Sequence, residues 1–474
     1  AAAKHVSDAR GNVKQMKNDS LLRVLCAYVV EHQIGISVNL LLLLILTHGL
    51  FPRARPLTRK FYELSYHDAS TGKYTQGWDD LCFVVFWVVV LTGLRAALMD
   101  YILKPAARAG GIRKSRVRLR FAEQAWIGIY PTGSWSLGMY IMYHSPYWLN
   151  LREMWASWPS PQMDGLVKWY YLVQFAFWLQ QIVVVNIEER RKDYAQMFTH
   201  HIFTCTLIFF SYGSYQIPAG IVILCIMDVV DILLPLAKCL KYLKFTTACD
   251  IGFGVFLITW FIARHLCYLL VCWSLYAHAP QIIYGCFSAS SGALVSSDIS
   301  NYPGGTEIMS NLMVGWTNPG GVICFNPQTR WTFLALLLGL QVITLIWFGM
   351  IIRVAWGVIM GRGADDSRSD DEDGDESEDE EVDGQSRPPP PTAAISLSTS
   401  LAQRPPSAGS NGSQSSRSTP YEEEVGVDEL YLGMRRTPSP RMKRMRSGGK
   451  GRTSAISIPG HSDPKDILNR IGCE

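Results

Sequence analysis

The chain has 474 residues, of which 48% are hydrophobic and 18% are charged, and its formal net charge is +4 at pH 7. These values exclude a soluble protein of uniform composition, and they predict no nucleic-acid partner. Apolar segments recur up to about residue 360 and then stop. The composition therefore predicts a membrane protein that carries a polar appendage.

Eight apolar segments are long enough, at about 17 to 25 residues, to span a bilayer as helices. The sequence thus predicts an all-α, polytopic membrane helix bundle with about eight transmembrane helices. The segments cover roughly residues 34–51, 81–99, 121–143, 168–187, 201–217, 219–237, 251–276 and 331–359. The fifth and sixth almost fuse at "QIPAG", where Pro218 and Gly220 predict a tight turn between antiparallel neighbours.

The distribution of Lys and Arg predicts the orientation in the membrane. Residues 100–120 are strongly basic, whereas 144–167 and 277–330 carry one Arg each. Because cytosolic loops are enriched in Lys and Arg, both termini are predicted to be cytosolic and 277–330 lumenal. Cys286 and Cys324 both lie in this lumenal loop, where an oxidising compartment would permit a disulfide.

The chain is predicted to divide into four parts. These are a cytosolic segment (1–33), a first transmembrane helix with a lumenal loop (34–80), a membrane domain (81–360) and a disordered cytosolic tail (361–474), acidic and then basic. The tail is either a solvated chain without a specific role or a site of regulation by phosphorylation. The candidate phosphorylation residues are Ser367, Ser369, Ser377, Thr437 and Ser439.

Four titratable side chains interrupt the fifth and sixth apolar segments. His200 and His201 stand at the predicted cytosolic entrance of the fifth span, and Asp228 and Asp231 lie in the middle of the sixth. Helical spacing places both aspartates on one face, together with Lys238. Ionisable groups inside a membrane are costly, so they indicate a functional site; a buried salt-bridge network is the alternative.

Arg264 is a further cation in the middle of the seventh span, next to His265. A guanidinium stays protonated and needs an anionic partner in the membrane. That partner is either Asp228 or Asp231, or a phosphate or carbonyl group of a substrate.

Several kinds of chemistry lack their usual signals. Membrane di-iron enzymes need about eight histidines in close clusters, whereas this chain has ten in all, and the only adjacent pair is His200 and His201. Adjacent residues of a helix point about 100° apart, so this pair is poorly placed to share a zinc ion. No Walker loop or GxSxG elbow is present. Without a predicted metal or cofactor, imidazole and carboxylate groups remain, which suit proton or acyl transfer on a lipid.

The stretch from Thr199 to Leu243 resembles the Lag motif of the longevity-assurance ceramide synthases, which have a TLC domain. The shared pattern is HH, a Thr three residues later, a Gly before an apolar run, DxxD, and then Lys and Tyr. Tyr140 to Trp148, Ala176 to Gln181 and Asn186 to Tyr194 are similar to family segments that precede the motif. The resemblance covers about residues 80–360, with a fungal character.

The resemblance implies N-acylation of a sphingoid base, such as sphinganine or phytosphingosine, by a long- or very-long-chain acyl-CoA in the endoplasmic reticulum membrane. It implies that His200 or His201 is the base and that Asp228 or Asp231 fixes its tautomer. The base either deprotonates the attacking amine directly or first accepts the acyl group as an acyl-imidazole. Acyl-CoA is then a co-substrate.

The basic loop is a candidate docking surface for the CoA phosphates, through Arg113, Lys114 and Arg116, with membrane orientation as the alternative role of its charge. Arg264 and Lys238 are the other candidate substrate-binding residues. Membrane lipids, a small single-spanning accessory subunit, and a homo- or heterodimer are the further partners that the resemblance raises. The competing hypothesis is a non-enzymatic TLC protein, a lipid sensor or translocation accessory.

Overall fold

A computed structural model describes residues 28–187 and 194–360, apart from the side chains of residues 358 and 359. The predicted tail lies outside the described residues. The same is true of its candidate phosphorylation residues Ser367, Ser369, Ser377, Thr437 and Ser439.

The first half of the described chain is helical apart from one short hairpin. Its elements are α1 (Gln33–Leu50), a 3-10 turn (Pro52–Ala54), α2 (Arg55–Tyr62), β1 (His67–Asp68), β2 (Lys73–Tyr74), α3 (Asp80–Leu98), a π-helical turn (Met99–Leu103), α4 (Lys104–Ala109), α5 (Ser115–Tyr143), α6 (Glu153–Ala156) and α7 (Gly165–Ile187). The two short strands pair in antiparallel register.

The second half adds the remaining membrane helices and a small sheet. Its elements are α8 (Tyr194–Gly213), α9 (Ile217–Tyr242), α10 (Thr246–Phe261), a second π-helical turn (Ile262–Cys267), α11 (Tyr268–Ala277), α12 (Ala279–Ile282), β3 (Gly285–Ser288), β4 (Leu294–Ser296), α13 (Ile308–Thr317), β5 (Val322–Phe325) and α14 (Pro327–Ile359).

Six helical segments of the described residues are long and apolar enough to cross a membrane: Gln33–Leu50, Asp80–Ala109, Gly165–Ile187, Ile217–Tyr242, Thr246–Ile282 and Pro327–Gly357. Each overlaps one of the predicted spans. The other two predicted spans overlap α5 and α8, which are long helices with more polar side chains, and the span predicted to end at residue 217 extends past the end of α8. Large apolar side chains on α1, such as Leu43 and Ile45, are 62% and 66% exposed. Such surfaces suit contact with lipid, so the protein is a multi-pass membrane protein.

The turn between the fifth and sixth predicted spans lies earlier than the sequence predicts. α8 ends at Gly213 and α9 begins at Ile217, and Tyr215 between them has a φ of 60°. Pro218 and Gly220 therefore lie in the first turn of α9 instead of in the loop. Proline is tolerated there because the first N–H groups of a helix have no partner within it. A side chain at Gly220 would collide with the ring of Tyr171.

The helix α7 lies at the centre of the bundle. Most of its length is buried, including two aromatic runs around Tyr170 and Phe177. It packs against α3 on one side and α8 on the other, whereas α9 packs mainly along α5 and α10. The predicted contact between α8 and α9 is present but small. The interior thus forms around α7, which packs directly against the first half of the Lag-like segment, in α8.

Residues 278–326, which we call the cap, contain a sheet that the sequence did not predict. Its strand order is β4-β3-β5, all antiparallel. Cys286 and Cys324 face each other on β3 and β5 and are joined by a disulfide. Trp158 packs against two cap side chains, Phe287 and Phe325, with ring centres 5.5 and 5.9 Å away. The cap therefore covers one end of the bundle.

A buried ion pair fastens α7 to α3 at the cap end of the bundle. Lys168 Nζ lies 2.7 Å from Asp80 Oδ1, and both side chains are fully buried. The ammonium also donates to the carbonyl oxygens of Ser65 and Thr75, at 2.8 and 2.6 Å. Tyr212 donates to Asp80 Oδ2 at 2.7 Å. These bonds tie the segment before α3 and the end of α8 to one point.

Removing one partner of this pair should destabilise the protein more than removing both. Lys168→Met leaves the Asp80 carboxylate buried without its cation, at a cost of about 3–5 kcal/mol. The double variant Lys168→Met with Asp80→Leu should recover much of this loss, because no unpaired charge remains. Thermal unfolding of the purified protein in detergent measures both. A double variant no more stable than Lys168→Met would contradict this account.

Candidate active site

A cavity with a mainly apolar wall runs along α8 inside the bundle, and we call it the apolar cavity. It contains about 760 Å³ of space between atoms, part of which is open to the outside. Most of the wall is aliphatic or aromatic. The polar members of its lining are His200, Thr204, Ser211, Gln216, Asp231 and Arg264, with the phenol of Tyr171.

Of the two adjacent histidines, His200 forms part of the cavity wall. It is 3% exposed, and its ring packs edge-on against Trp178 and Trp347, with ring centres 5.6 and 5.2 Å away. Neither ring nitrogen of His200 has a hydrogen-bond partner among the described residues. His201 is fully buried and is not part of the cavity wall. The structure therefore gives only His200 direct access to a molecule in the apolar cavity.

A hydrogen-bonded aromatic group lines the cavity on the side towards the cap. The hydroxyl groups of Tyr171 and Ser211 bond to each other, and Tyr171 stacks on Tyr212 with ring centres 6.1 Å apart. Both His200 and Ser211 line the cavity, and they are 11 residues apart on α8. At about 1.5 Å per residue, these two residues are about 16 Å apart along the helix.

Asp231 and Arg264 form a buried ion pair at the end of the cavity that contains His200. The Arg264 Nη2 group donates to Asp231 Oδ1 and also to the carbonyl oxygen of Met227, at 3.3 Å in the second case. The guanidinium lies over the ring of Trp260, 4.3 Å from its centre. Arg264 lies in the second π-helical turn, a local structure that is often found at functional sites. Both groups also line the cavity, so the ion pair is part of its wall.

Asp228 faces a different part of the protein. Its Oδ2 atom accepts hydrogen bonds from Ser134 on α5 and Gln174 on α7, each at 3.0 Å. It lines a second, smaller cavity of about 310 Å³, which we call the polar cavity. Asp231 and Trp178 line both cavities. Asp231 thus lies between the two cavities, whereas Asp228 lines only the polar cavity and has different partners.

Other predicted site residues lie away from both cavities. Lys238 is buried on α9, about two turns beyond Asp231, and is part of neither wall. The exposed residues Arg113, Lys114 and Arg116 precede or begin α5. Arg116 is 18 residues from Ser134, about 27 Å along the helix. The described residues contain no group of three or more His, Cys, Asp or Glu that could hold a metal ion.

The sequence alone indicates no role for the polar side chains that α5 and α7 place near Asp228. Gln174, Gln180 and Gln181 are buried glutamines within an apolar helix, and Ser134 lies in a long apolar segment. Polar groups in a membrane helix are a signal of function or of specific hydrogen bonds. The segment from Ala176 to Gln181 is similar to a family segment, but that similarity implies no role for its individual residues.

The chain is similar in sequence to several known proteins. The family model of the TLC domain matches residues 120–353. The sphingosine N-acyltransferase-like protein ALT7 of Alternaria alternata is 47% identical over 374 residues, which cover 77% of this chain and 82% of that protein. The ceramide synthase FUM18 of Gibberella moniliformis is 44% identical over 69% of this chain and 76% of its own length. The sphingosine N-acyltransferase lag1 of Schizosaccharomyces pombe is 40% identical, with coverages of 68% and 75%.

The chain is a polytopic helix bundle with a TLC domain and a buried His/Asp centre. Its class is therefore that of the TLC-domain membrane proteins. Within that class, the chain belongs to the ceramide synthase (sphingosine N-acyltransferase) family. The resemblance that the Lag-like segment suggested is confirmed.

Variants of the ion pair can separate a structural role of Arg264 from a role in substrate binding. Arg264→Met should lower stability by about 3–5 kcal/mol, because it leaves Asp231 buried without its cation. Arg264→Met with Asp231→Asn should recover most of the stability. Arg353, which is exposed on α14, provides the control Arg353→Met, which should behave as wild type. Thermal unfolding reports stability, and KM for acyl-CoA reports binding; an unchanged melting temperature with a raised KM would contradict the structural role.

Proposed function

We propose that this protein transfers a fatty acyl group from acyl-CoA to the amine of a sphingoid base, such as sphinganine or phytosphingosine, and releases ceramide and CoA. The observation that carries the mechanism is His200, an imidazole without hydrogen-bond partners among the described residues, in the wall of the apolar cavity. The cavity suits an acyl chain, and the imidazole suits proton or acyl transfer at its end. Acyl-CoA is a co-substrate in this reaction.

The chemistry needs one bond formed and one broken. The amine nitrogen attacks the thioester carbonyl carbon, a C–N bond forms, and the C–S bond breaks. His200 takes the proton that the nitrogen loses and returns it to the departing sulfur. In the alternative route, a His200 nitrogen displaces CoA first, and the amine then attacks the acyl-imidazole. Arg264 lies in the same wall and can stabilise negative charge on the carbonyl oxygen.

We propose that the reaction takes place in the endoplasmic reticulum membrane. Both termini would lie in the cytosol and the cap in the lumen. The disulfide between Cys286 and Cys324 supports a lumenal cap, since the lumen is oxidising. Arg113, Lys114 and Arg116 would then be cytosolic, on the side from which the CoA phosphates approach. The accessory subunit and the dimer stay predictions.

His200→Ala should lower the rate of N-acylation by at least about a hundredfold, the usual contribution of a general base. His201→Ala, Asp228→Ala and Asp231→Ala should also lose activity when the variant protein still inserts. His144, an exposed histidine directly after the last residue of α5, provides the control His144→Ala, which should keep full activity. Ceramide formation is measured by mass spectrometry with purified protein. Full activity in His200→Ala would contradict the proposed mechanism.

The two routes differ in what happens with acyl-CoA alone. An acyl group found on the peptide that contains His200 would establish the acyl-imidazole route. An unmodified peptide, from protein that then makes ceramide when the base is added, would favour direct attack.

Narrowing the apolar cavity should shorten the preferred acyl chain. Leu207 lines the cavity two turns beyond His200, and Leu207→Trp would fill its middle. We expect kcat/KM for the longest accepted acyl-CoA to fall about tenfold or more relative to shorter ones. Leu270→Trp, at a lipid-facing position that is 53% exposed, is the control for added bulk. An equal loss at all chain lengths would show that the chain does not extend past Leu207.

A further inference from the structure

Trp178 has a buried hydrogen-bond donor that the described part of the chain does not use. Its side chain is 5% exposed, and its Nε1 atom has no hydrogen-bond partner among the described residues. An indole N–H group only donates, so it needs an acceptor. A buried donor without one is costly, which makes an acceptor on a bound molecule favourable at this position.

Trp178 lies where a reacting acyl group would be held. It is in the wall of the apolar cavity together with His200, and the two rings have centres 5.6 Å apart and planes at 76°. Reacting atoms approach to about 3–3.5 Å before a bond forms. A thioester within reach of His200 in this cavity therefore lies beside the indole ring.

Other tryptophans share the buried donor but not the position. Trp126 on α5 and Trp347 on α14 are 2% and 3% exposed, and the Nε1 atom of each lacks a partner among the described residues. Trp347 also packs edge-on against His200, with ring centres 5.2 Å apart. Neither residue is part of the wall of the apolar or the polar cavity. Of these three tryptophans, Trp178 alone combines the donor with access to the apolar cavity.

The proposed reaction needs a donor beside the thioester. When a nitrogen attacks the carbonyl carbon, the C=O double bond opens and the oxygen becomes negatively charged. The double bond forms again when the C–S bond breaks, and the sulfur takes the proton that His200 holds. A donor aimed at this oxygen lowers the barrier. It acts in both routes, because attack by the amine and attack by the imidazole create the same kind of oxyanion.

Arg264 is already engaged with protein acceptors. Its Nη2 group donates to Asp231 and to the carbonyl oxygen of Met227, and the Asp231 carboxylate offsets part of its charge. The indole N–H of Trp178 has no competing acceptor among the described residues. It is thus the donor that a carbonyl oxygen can engage without breaking a bond within the protein.

We propose that the indole N–H group of Trp178 donates a hydrogen bond to the carbonyl oxygen of the acyl thioester, and that this bond strengthens as the oxygen becomes negative. The indole keeps its proton throughout. This inference rests on the proposed function, and it makes Trp178 a catalytic residue that acts on the acyl donor.

Two replacements of Trp178 remove the N–H group and keep an aromatic side chain. Trp178→Phe is the simpler one. Replacement of Trp178 by 3-benzothienylalanine, in which sulfur takes the place of the N–H group, also keeps the size and shape of the ring system. Trp126→Phe is the control for loss of a buried indole, and Trp347→Phe is the control for altered packing against His200.

Ceramide formation by the full-length purified protein gives the first readout. Both replacements of Trp178 should lower kcat about a hundredfold, the usual effect of removing one oxyanion donor, while KM for acyl-CoA changes little. Trp126→Phe should match wild type. Trp347→Phe should keep a kcat at least about tenfold above that of Trp178→Phe, because it removes no donor from the cavity.

Infrared spectroscopy separates a hydrogen bond from a merely structural role. The ligand is an acyl-CoA analogue with CH₂ in place of the thioester sulfur and an isotope-labelled carbonyl group, so that CoA is not released. A hydrogen bond weakens the C=O bond. The carbonyl band of the bound analogue should therefore lie at a lower wavenumber in wild type than in either replacement of Trp178. Trp126→Phe and Trp347→Phe should give the wild-type band.

A wild-type carbonyl band in the 3-benzothienylalanine protein would overturn the proposal, and so would full kcat in either replacement of Trp178. An equal loss of rate in Trp347→Phe would overturn it as well, because packing against His200 would then explain the effect. Wild-type protein that makes no ceramide from acyl-CoA and a sphingoid base would instead contradict the proposed function itself.

Discussion

A charged group inside an apolar helix bundle needs a counter-charge, because an unpaired ion there costs several kcal/mol, or roughly 3–5 when one partner is lost. Two ion pairs meet this requirement at different depths. Asp231 and Arg264 pair beside His200, and Lys168 and Asp80 pair near the cap. Tyr212, which is bonded to Asp80, stacks on Tyr171 in the wall of the apolar cavity. One ion pair is therefore part of that wall, and the other is linked to it through two tyrosines.

The central helix α7 divides the interior into two chemical environments. Trp178 lies between them and is in ring contact with both histidines, at 5.6 Å from His200 and 5.5 Å from His201. On one side the walls are hydrocarbon, and on the other glutamine, serine and aspartate surround a small space. An acyl-transfer enzyme has to bring a long hydrocarbon chain and a polar nucleophile to one carbon atom without filling the site with water. Trp178 and Asp231 belong to the walls of both cavities, so the two environments meet at these residues.

Length and hydropathy were sufficient to locate the membrane helices, because a bilayer requires each spanning segment to satisfy its own backbone hydrogen bonds. The spacing of Asp228 and Asp231 predicted a shared helix face. Three residues correspond to about 300° of rotation, so the two carboxyl groups point about 60° apart and can have different partners. The pairing of Arg264 with one of these aspartates was one of two predicted alternatives.

Features that depend on contacts between residues far apart in the chain could not be predicted from the sequence. Lys168 and Asp80 are 88 positions apart, and nothing in either segment indicates the other. The cap strands are only three or four residues long, too short for a clear alternating pattern. Which histidine faces the cavity depends on the rotation of α8 against α7, which adjacent positions in a sequence do not reveal.

The π-helical turn at Ile262–Cys267, between α10 and α11, makes this part of the chain sensitive to the loss of a single residue. A π turn accommodates one residue more than an α-helical turn, so α11 is rotated by about 100° relative to a continuous α-helix. That rotation directs Val271 and Leu275 into the apolar cavity and leaves Leu270 and Trp273 on the outer surface. Loss of a single residue here would turn both faces by about 100° relative to the first half of the helix, although hydropathy along the segment would hardly differ. The extra residue thus sets the angle about the helix axis between the half of the helix that holds Arg264 and the half that lines the cavity.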